Sequence, residues 1–463
     1  MEINPRIFRE YDVRGVVDRD LTPEAVELLG KGYGTYLIRQ SPGDGSRRRT
    51  ATVGYDARLS SPAFCEALTK GIVSTGVDVV QIGLVATPML YFSLFHLAVD
   101  GGVMITGSHN PPEFNGFKLG VGKTTIHGEQ IQDVLKIIQS GNFAQGRGQV
   151  SQQDINEAYK AEVVRRVGQL ARPLKVVVDA GNGAGGPYGP DMLRRIGAEV
   201  IELYCDIDGR FPNHHPDPTL PEALAPLIAR VAETGADLGI GWDGDADRIG
   251  VVDAQGRIIW GDQLMMLFSR EVLATHPGAP IIFEVKCSQG LVEEIERLGG
   301  EPVMYKTGHS LIKGKMKALH APLAGEMSGH LFFADEYFGY DDALYASCRF
   351  ARLLAAQDKP LTALVDELPR YVSTPETRVD CPEESKFKIV EEMTAYFKAH
   401  YDALDIDGVR ILFGDGWGLL RASNTQPVLV LRFEARTSER LEEIKGIVLG
   451  KLKEIAPEVE VRV

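Results

Sequence analysis

Three stretches of the chain share one pattern of apolar and polar positions, at residues 52–80, 175–203 and 280–304. In each, an apolar run is followed by a polar turn, an amphipathic stretch and a second apolar run. The amphipathic part of the third stretch places its apolar side chains at helical spacing, at Leu291, Val292, Ile295 and Leu298. The pattern predicts strand, helix and strand three times, which is typical of three similar α/β domains.

Glycine marks the same point in each repeat, where the predicted helix gives way to the second strand. Gly76, Gly197 and Gly299 are each followed two residues later by an acid and then by a β-branched residue or a proline-valine pair. Glycine ends a helix readily because it adopts the left-handed conformation without steric cost. We therefore expect a positive φ at all three glycines.

The last hundred residues follow another pattern. A helix is predicted with Phe387, Val390, Met393 and Phe397 on its apolar face, then strands at 409–413 and 428–433. A final helix carries an apolar stripe at Leu441, Ile444, Val448, Leu452 and Ile455. The predicted fold class is α/β, with three similar mixed α/β domains and a smaller C-terminal α+β domain, at residues 1–152, 153–254, 255–369 and 370–463.

Composition excludes several classes of protein. The 463 residues are 44% hydrophobic and 25% charged, as in ordinary globular proteins, and the net charge of -14 disfavours a nucleic-acid partner. No apolar run approaches the ~20 residues of a membrane span, and the N-terminus lacks the profile of a secretory signal. Five cysteines without paired spacing indicate reduced thiols in a cytoplasmic protein.

The segment at residues 106–118 predicts a stiff, reversing loop after a strand at 102–105. Pro111 and Pro112 prevent that strand from continuing. The dipeptide Asn115-Gly116 predicts a tight turn.

This loop presents a hydroxyl beside two cationic side chains. Ser108, His109 and Lys118 are the groups that a phosphate-carrying serine would require. A nucleophile elbow needs glycine two positions either side of the serine, but the flanks are Thr106 and Asn110. An acyl-transfer hydrolase is therefore disfavoured.

Asp243, Asp245 and Asp247 stand in a glycine-containing turn between two predicted strands. Three carboxylates this close repel one another, and Mg²⁺ with oxygen ligands relieves the repulsion. An EF-hand calcium loop would need glycine and glutamate where the chain has Arg248 and Ala254. The alternative is an acidic surface turn.

Two further polar loops suit a sugar phosphate. Glu326, Ser328 and His330 lie within a glycine-flanked segment of six residues that could bind a polyol, and the alternative is an ordinary polar loop. Lys286 and His309 follow predicted strands, where α/β proteins bind ligands. The segment 421–427, Arg-Ala-Ser-Asn-Thr-Gln-Pro, could cradle an anion or could simply be a turn between strands.

Two glycine motifs are weaker signals. Residues 181–186 match G-x-G-x-x-G, but Pro187 and Pro190 delay the following helix, which favours a turn over a dinucleotide site. Gly122-Lys-Thr124 resembles the end of a Walker A loop, but position 117 is phenylalanine and no long helix is predicted to follow.

The serine loop, the aspartate loop, the sugar loop and the anion cradle, in that order, resemble the α-D-phosphohexomutase superfamily over essentially the whole chain. The resemblance is closest to the bacterial phosphomannomutase/phosphoglucomutase branch, at residues 106–112, 325–330, 421–427 and the opening motif at 8–15. Ala246 departs from the glycine that is common in the metal loop, which would change little if its φ is negative. Met327 and Asn424-Thr425 favour mannose and glucose over the glucosamine branch.

The resemblance implies a mutase that interconverts hexose 1-phosphate and hexose 6-phosphate through a phosphorylated Ser108, with domains around a central cleft. It implies Mg²⁺ held by Ser108, Asp243, Asp245 and Asp247, and hexose 1,6-bisphosphate (glucose 1,6-bisphosphate) as intermediate and activator. The implied catalytic residues are Ser108, His109, Lys118, Arg14 and His330. The implied substrate-binding residues are Tyr11, Arg248, Lys286, His309, Glu326, Met327, Ser328, Gly329, Arg421, Ala422, Ser423, Asn424 and Thr425.

The expected partners are small sugar phosphates, with no nucleic acid or membrane, and the protein is expected to be a monomer or weak homo-oligomer. A phosphoglucosamine mutase is the first alternative. A dinucleotide-dependent oxidoreductase using the glycines at 181–186 is a remote one, and it leaves the loop at 106–118 unexplained. A catalytically silent sugar-phosphate sensor is disfavoured because no motif residue is missing.

Overall fold

A computed structural model describes residues 3–40, 48–423, 426–457 and 459. The chain divides into two units, one of Met1–Gly261 with Ser328–Asp366 and one of Asp262–Met327 with Glu367–Val463. Among the described residues, no helix is long and apolar enough to cross a membrane. The bounds of the four predicted domains stay a prediction.

The first unit begins with a seven-stranded mixed sheet. Its elements are β1 Val13–Val16, α1 Pro23–Gln40, β2 Thr50–Tyr55, α2 Ser61–Val73, β3 Asp78–Leu84, α3 Thr87–His96, β4 Gly101–Ile105, β5 Phe114–Val121, β6 Thr124–Thr125, α4 Glu129–Ser140 and β7 Val150–Gln152. The strand order is β1-β5-β4-β2-β3-β7, with β6 paired to β5. Strands β2, β3 and β4 are parallel, and β5 is antiparallel to both β4 and β1.

A five-stranded sheet follows in the same unit. Its elements are α5 Asn156–Val167, β8 Lys175–Asp179, α6 Gly189–Arg195, β9 Glu199–Leu203, α7 Pro221–Thr234, β10 Leu238–Trp242, β11 Ile249–Asp253 and β12 Ile258–Ile259. The strand order is β12-β11-β10-β8-β9. Strands β10 and β11 are antiparallel neighbours and are buried along their whole length, so the turn between them lies at an end of buried strands.

The second unit contains a parallel strand group with β13 between β14 and β15. Its elements are α8 Gly261–Thr275, β13 Pro280–Glu284, α9 Gln289–Arg297, β14 Glu301–Tyr305, α10 His309–Leu319 and β15 Leu323–Gly325. The chain then contributes β16 Leu331–Phe333, α11 Ala343–Ala355 and α12 Leu361–Asp366 to the first unit.

The rest of the second unit is a six-stranded antiparallel sheet with two helices. Its elements are β17 Val372–Ser373, β18 Thr377–Asp380, α13 Lys386–His400, β19 Asp402–Leu404, β20 Val409–Leu412, β21 Gly416–Ala422, β22 Val428–Ala435 and α14 Ser438–Ile455. The strand order is β17-β22-β21-β20-β19, with β18 paired to β22. Apolar side chains of both helices pack on this sheet in one cluster that includes Met393, Phe397, Ile444 and Val448.

The repeated pattern predicted from the sequence forms strand, helix and strand in all three places, as β2-α2-β3, β8-α6-β9 and β13-α9-β14. Gly76, Gly197 and Gly299 have φ values of 94°, 106° and 74°, which confirms their left-handed conformation.

Two local predictions are wrong. Asn115 and Gly116 do not form a turn, because they lie inside β5 and pair with β1. Phe387 is 54% exposed, and Ile389 takes its place on the buried face of α13.

Candidate active site

The loop between β4 and β5 holds Ser108 in a left-handed conformation, with φ at 49°. A serine in this region costs roughly 1 to 3 kcal/mol and persists only where its surroundings enforce it. Its amide donates to Oγ1 of Thr106 at 2.8 Å, and its hydroxyl donates to Oδ2 of Asp243 at 2.8 Å. The position of the Ser108 hydroxyl is therefore fixed by contacts on both sides.

Arg58, in the turn after β2, fastens this loop. Its buried guanidinium donates to four backbone carbonyls, at 2.5 to 2.8 Å, those of Ser108, Asn110, Pro111 and Phe114. A side chain at Gly107 would place its Cβ 2.4 Å from the guanidinium. Because one rigid cation satisfies four carbonyls, the loop keeps its shape without regular secondary structure.

Asp243, Asp245 and Asp247 lie in the turn between β10 and β11, and all three are fully buried. Thr87, the first residue of α3, donates its hydroxyl to Oδ2 of Asp245 at 2.5 Å and its amide to the backbone carbonyl of Asp245 at 2.9 Å. An acidic surface turn is therefore excluded, since no part of these carboxylates faces solvent.

Lys118 projects from β5 and forms ion pairs with Asp245, at 3.1 Å, and with Asp247. Burial alone would lower the pKa of Lys118, but the two carboxylates raise it well above its usual value. Burial and the neighbouring carboxylates raise the pKa of Asp243. For Asp245, burial acts in the same direction, but Lys118 and Thr87 outweigh it and lower the pKa. The cluster is thus held by one buried cation.

The aspartate cluster fits a divalent cation. Ligand oxygens of Asp243, Asp245 and Asp247 lie within 4.8 Å of one another. Within the described parts of the chain, Oδ1 of Asp245 and Oδ1 of Asp247 are buried without any hydrogen-bond partner. Buried oxygens left unpaired are costly, and an all-oxygen donor set suits a hard cation such as Mg²⁺. These aspartates could hold the ion together with an oxygen on Ser108.

Glycines allow the serine and aspartate loops to approach each other closely. A Cβ at Gly244 would lie 2.5 Å from the carbonyl oxygen of Ser108, and one at Gly183 would lie 2.7 Å from the carbonyl oxygen of Gly244. The amide of Ala184 donates to that same Gly244 oxygen at 2.9 Å. The glycine-rich segment at 181–186 therefore supports the aspartate loop, which explains its glycines without a dinucleotide.

Ala246 has a φ of 58°. The expectation that this alanine changes little required a negative φ, so that expectation does not hold. Its methyl group is fully buried, and a Cβ on Gly185 would lie 3.0 Å from it. This alanine carries backbone strain that glycine would not.

Ser108 is followed by a histidine that is bound to an aspartate. Nδ1 of His109 lies 2.8 Å from Oδ2 of Asp217. Burial and the charge of Arg248 lower the pKa of His109 to about 4. Arg14, in β1, contributes in the same direction and donates to Asp12 at 2.5 Å. Tyr11 lies half-buried just before β1.

His330 lies in the first unit between an arginine and two carboxylates. Nε of Arg248 donates to Nε2 of His330 at 3.0 Å, so the ring proton is on Nδ1, 3.2 Å from Asp341 and 3.6 Å from Asp247. Gly329 has a φ of 91° and its Cβ would lie 2.2 Å from the carbonyl oxygen of Ile249, so only glycine fits there. Ser328, just before it, is half-buried.

In the second unit, two buried carboxylates accept hydrogen bonds from the segments at 307–308 and 326–327. Oε1 of Glu326 accepts from the amide of Gly308 at 2.6 Å. Oε1 of Glu284 accepts from the amide of Met327 at 3.1 Å, and its Oε2 accepts from the hydroxyl of Thr307 at 2.5 Å. The segment before residue 328 and the segment at 307–308 are therefore fixed to each other.

Lys286 lies beside this pair of segments. Its ammonium is 2.9 Å from Glu376 and 3.4 Å from Glu284, and these charges raise its pKa although burial acts to lower it. Arg432, in β22, donates to the carbonyl of Lys286 and contacts Sδ of Met327. His309, the first residue of α10, follows Gly308 directly.

The predicted anion cradle begins at the end of β21 with Arg421 and Ala422, both buried. Nε of Arg421 donates to Oδ2 of Asp407 at 3.0 Å, and that oxygen also accepts from the amide of Thr307 at 3.1 Å. Oγ of Ser423 accepts from the amide of Gln426 at 3.1 Å. Asn424 and Thr425 lie outside the described residues.

Comparison with known proteins found family matches in both units of the chain. Four family descriptions match in order, namely "Phosphoglucomutase/phosphomannomutase, alpha/beta/alpha domain I" at residues 5–145, domain II at 156–256, domain III at 260–371 and "C-terminal domain" at 376–451. The chain belongs to the phosphoglucomutase/phosphomannomutase family. As a member of the α-D-phosphohexomutase superfamily it is a mutase enzyme that transfers phosphoryl groups.

Several relatives match this chain over nearly their whole length. A phosphomannomutase/phosphoglucomutase of Pseudomonas putida is 45% identical over 455 residues, which is 98% of this chain and 97% of the relative. A phosphoglucomutase of Neisseria gonorrhoeae is 45% identical over 95% of both chains. The crystal structure of a phosphoglucomutase/phosphomannomutase family protein from Burkholderia thailandensis is 42% identical, covers 99% of both chains and superimposes with a TM-score of 0.93.

Several residues that hold the loops of this mutase in place were not predicted from the sequence. Arg58 and Asp217 contact the serine loop from 50 or more residues away, and Glu284 binds the segment before residue 328 from 43 residues away. A signal existed for Asp217, since residues 213–217 read Asn-His-His-Pro-Asp, a dense polar run. The tripeptide Asp56-Ala-Arg58, directly after a predicted strand, was a weaker signal for Arg58.

Proposed function

We propose that the protein interconverts hexose 1-phosphate and hexose 6-phosphate of mannose, glucose or both, through a phosphoserine at Ser108 and a hexose 1,6-bisphosphate. The observation that carries this proposal is the Ser108 hydroxyl, 2.8 Å from Asp243 in a fully buried cluster of three aspartates. A strained serine beside ligands for a hard cation is suited to carrying a phosphoryl group. It is not arranged for acyl transfer, since Ser108 donates to a carboxylate and not to a histidine.

Mg²⁺ is the proposed cofactor, with Asp243, Asp245, Asp247 and an oxygen on Ser108 as its ligands. When bound, it would offset the roughly 1.5 to 2 negative charges of a phosphoserine and polarise the phosphoryl group. Lys118 contributes a buried positive charge next to the same carboxylates. Arg58 and Gly107 keep the loop in the shape that presents the serine.

The reaction transfers one phosphoryl group in each direction. The free hydroxyl oxygen of the sugar phosphate attacks the phosphorus on Ser108, and the bond from phosphorus to Oγ breaks as the new P–O bond forms. The hydroxyl proton passes to a base, for which Lys118 and His330 are the candidates. Despite burial, Asp245 and Asp247 raise the pKa of Lys118 and keep it protonated, so Lys118 would have to lose that proton before it could act as the base. After the bisphosphate has reoriented, its other phosphate returns to Oγ of Ser108 by the reverse exchange.

A further set of polar groups is proposed to recognise the sugar phosphate. Arg421 and the residues after it would bind the phosphate that is not transferred. Glu326 and Ser328 would bind ring hydroxyls, with O3 and O4 favoured because mannose and glucose differ only at O2. Lys286 and His309 would contact the sugar or its distal phosphate. The expected cytoplasmic location and the monomeric or weakly oligomeric state stay predictions.

Intact mass of the purified protein tests the proposal directly. We expect one added phosphate, which is lost in Ser108→Ala and kept in Ser269→Ala, a control at another buried serine. The wild-type protein should interconvert the 1- and 6-phosphates of mannose or glucose in the presence of Mg²⁺, and Ser108→Ala should not. A preference for glucosamine phosphate in a side-by-side assay would replace the proposed substrate class. Stoichiometric bound nicotinamide would overturn the proposal.

A further inference from the structure

The imidazole that follows Ser108 is held by a carboxylate with little freedom of its own. Oδ2 of Asp217 lies 2.8 Å from Nδ1 of His109. Oδ1 of Asp217 accepts from both the amide and the hydroxyl of Thr219, at 3.0 and 2.7 Å. The side chain of Asp217 is buried. Both of its oxygens are therefore occupied, and the carboxylate cannot rotate without breaking three hydrogen bonds.

The backbone around Asp217 is also fixed. Its amide donates to the carbonyl of His215 at 2.9 Å, and its carbonyl accepts from the amide of Leu220 at 3.1 Å, one residue before α7. Within the same segment, His214 binds Asp179 through Nε2, at 3.0 and 3.1 Å. The segment at 213–217 therefore supplies one member of each of two histidine–aspartate pairs, and only the pair of Asp217 includes the neighbour of Ser108.

The pairing determines what His109 can do. With Nδ1 donating to Asp217, the ring cannot flip, and Nε2 is its one remaining hydrogen-bonding atom. Within the described residues, the His109 ring makes no other hydrogen bond. A histidine whose tautomer and orientation are set by a carboxylate is a recurrent device for presenting Nε2 to a reacting group.

We propose that Asp217 is a positioning residue for phosphoryl transfer at Ser108. It orients the His109 ring so that Nε2 faces the phosphoryl group carried by the preceding serine. The inference rests on the proposed function, because it assigns the fixed ring to a phosphoserine. Asp217 itself does not touch the reacting atoms. Its effect is exerted through the geometry of one imidazole, and a change at Asp217 should slow transfer more than it weakens substrate binding.

The test compares Asp217→Asn with Asp179→Asn. Asparagine keeps the shape of each carboxylate, but its amide can donate to the ring nitrogen and favour the wrong tautomer. We expect Asp217→Asn to lower kcat by about 10- to 100-fold with KM changed less than about threefold, since displaced orienting groups have effects of this size. Asp179→Asn should leave kcat within about twofold, because its histidine is not adjacent to the serine.

Long-range ¹H–¹⁵N spectra show which ring nitrogen of each histidine carries the proton. A purely structural role of Asp217 would leave this signal of His109 unchanged. The wild-type spectrum should show the proton of His109 on Nδ1, and Asp217→Asn should lose that signature at unchanged melting temperature. Equal losses of kcat in both variants, or a normal kcat in Asp217→Asn, would overturn the proposal. So would a Zn²⁺ titration that loads His109, His215 and Asp217 and raises activity, since the cluster would then be a metal site.

Failure of this inference is separable from failure of the proposed function. If the wild-type protein carries no phosphate and converts no hexose phosphate, the proposed function fails. If the wild-type protein is active and Asp217→Asn is equally active, only the positioning role fails. Asp217→Asn should also remain phosphorylated by intact mass, because the serine loop keeps its contacts with Arg58.

Discussion

The charged groups of the two units are arranged in opposite ways. In the first unit, three buried aspartates face one another and a single lysine, and two carboxylate oxygens have no hydrogen-bond partner among the described residues. In the second unit, Glu284 and Glu326 are as deeply buried, but they accept from backbone amides and a hydroxyl. In the first arrangement, one lysine does not neutralise three carboxylates, so the cluster can still bind a cation beside a phosphoryl group. The second uses its charges to fix loops.

The largest effect should follow from removing the divalent cation that we propose for the first unit. We expect chelation of divalent metal to lower activity by about a thousandfold or more and Mg²⁺ to restore it, because a Lewis acid at phosphorus contributes several kcal/mol. Asp245→Asn should bind Mg²⁺ more weakly by calorimetry. Glu284→Gln, in the second unit, should bind Mg²⁺ normally. Full activity in the chelated enzyme would show that the aspartate cluster has a structural role only.

The loop-fixing role of the second unit is tested by Glu284→Gln and Glu326→Ala. Loss of Glu326 should lower kcat/KM for mannose and glucose phosphates alike, by roughly 100-fold, since it removes the group that we propose to bind a ring hydroxyl. Glu284→Gln keeps its shape but weakens the bonds to Met327 and Thr307, so we expect a loss of about 10-fold, mostly in KM. Steady-state kinetics with both sugars measure each loss. A variant of Glu326 that spares one sugar would contradict contact with a shared hydroxyl.

In the first unit, sequence patterns identified the candidate reactive groups but not the residues that hold them in place. Ser108 and the three aspartates stand in short motifs, so their residue types and spacing were visible. Arg58 and Asp217 reach the serine loop across 50 and 108 residues, and no local pattern reports such contacts. Asn115-Gly116 has the composition of a turn, yet both residues pair with β1 inside β5, and the sheet overrides the local preference.

The second unit was predicted less fully for a different reason. Glu326, Lys286 and Arg421 were recognised as polar groups that could face a ligand, but their partners come from other loops. Glu284 is the last residue of a strand, and its contact with Met327 depends on the parallel pairing of β13 with β15. That register is a property of the folded sheet, and sequence spacing alone did not determine it.

Arg58 tests how far the first site depends on a rigid loop. Arg58→Lys keeps the charge but cannot reach four carbonyls, so at least two buried acceptors lose their donor. We expect the free energy of unfolding of the first unit to fall by about 2 to 4 kcal/mol. Hydrogen exchange of the amides of α2 and β4 measures the loss. The control Arg210→Lys makes the same exchange in an exposed pair with Asp208 and should change stability by less than about 0.5 kcal/mol.

Asp342 provides a buried carboxyl whose hydrogen-bond donors are neutral. It accepts from the hydroxyls of Tyr159 and Tyr337 and from the amide of Tyr345. Burial raises its pKa from 3.8 to about 7 despite these bonds. The native state therefore holds a proton that the unfolded chain has released between these two values, and stability falls as pH rises through this window.

The contribution of Asp342 to that slope is at most about 1.4 kcal/mol per pH unit, and it levels off above about pH 7. Asp342→Asn should flatten the slope by that amount, as measured by hydrogen exchange of α11 amides at several pH values. Asp335→Asn, in the same unit, changes a carboxylate that is paired with Arg349 and should not flatten it. An unchanged slope in Asp342→Asn would mean that this carboxyl is ionised throughout the window.

The smallest effect concerns backbone strain beside the cation site. Ala246→Gly relieves a left-handed alanine, a gain of roughly 1 to 2 kcal/mol, but it loses a buried methyl group and adds chain entropy to the unfolded state. These terms oppose each other, so we expect stability to change by less than about 1 kcal/mol and Mg²⁺ affinity to stay the same. Gly244→Ala, two residues earlier, should be far more damaging, because its Cβ would lie 2.5 Å from the carbonyl oxygen of Ser108. If Ala246→Gly weakened Mg²⁺ binding in calorimetry while Gly244→Ala did not, the close approach of the two loops would not be what aligns the aspartates with the serine.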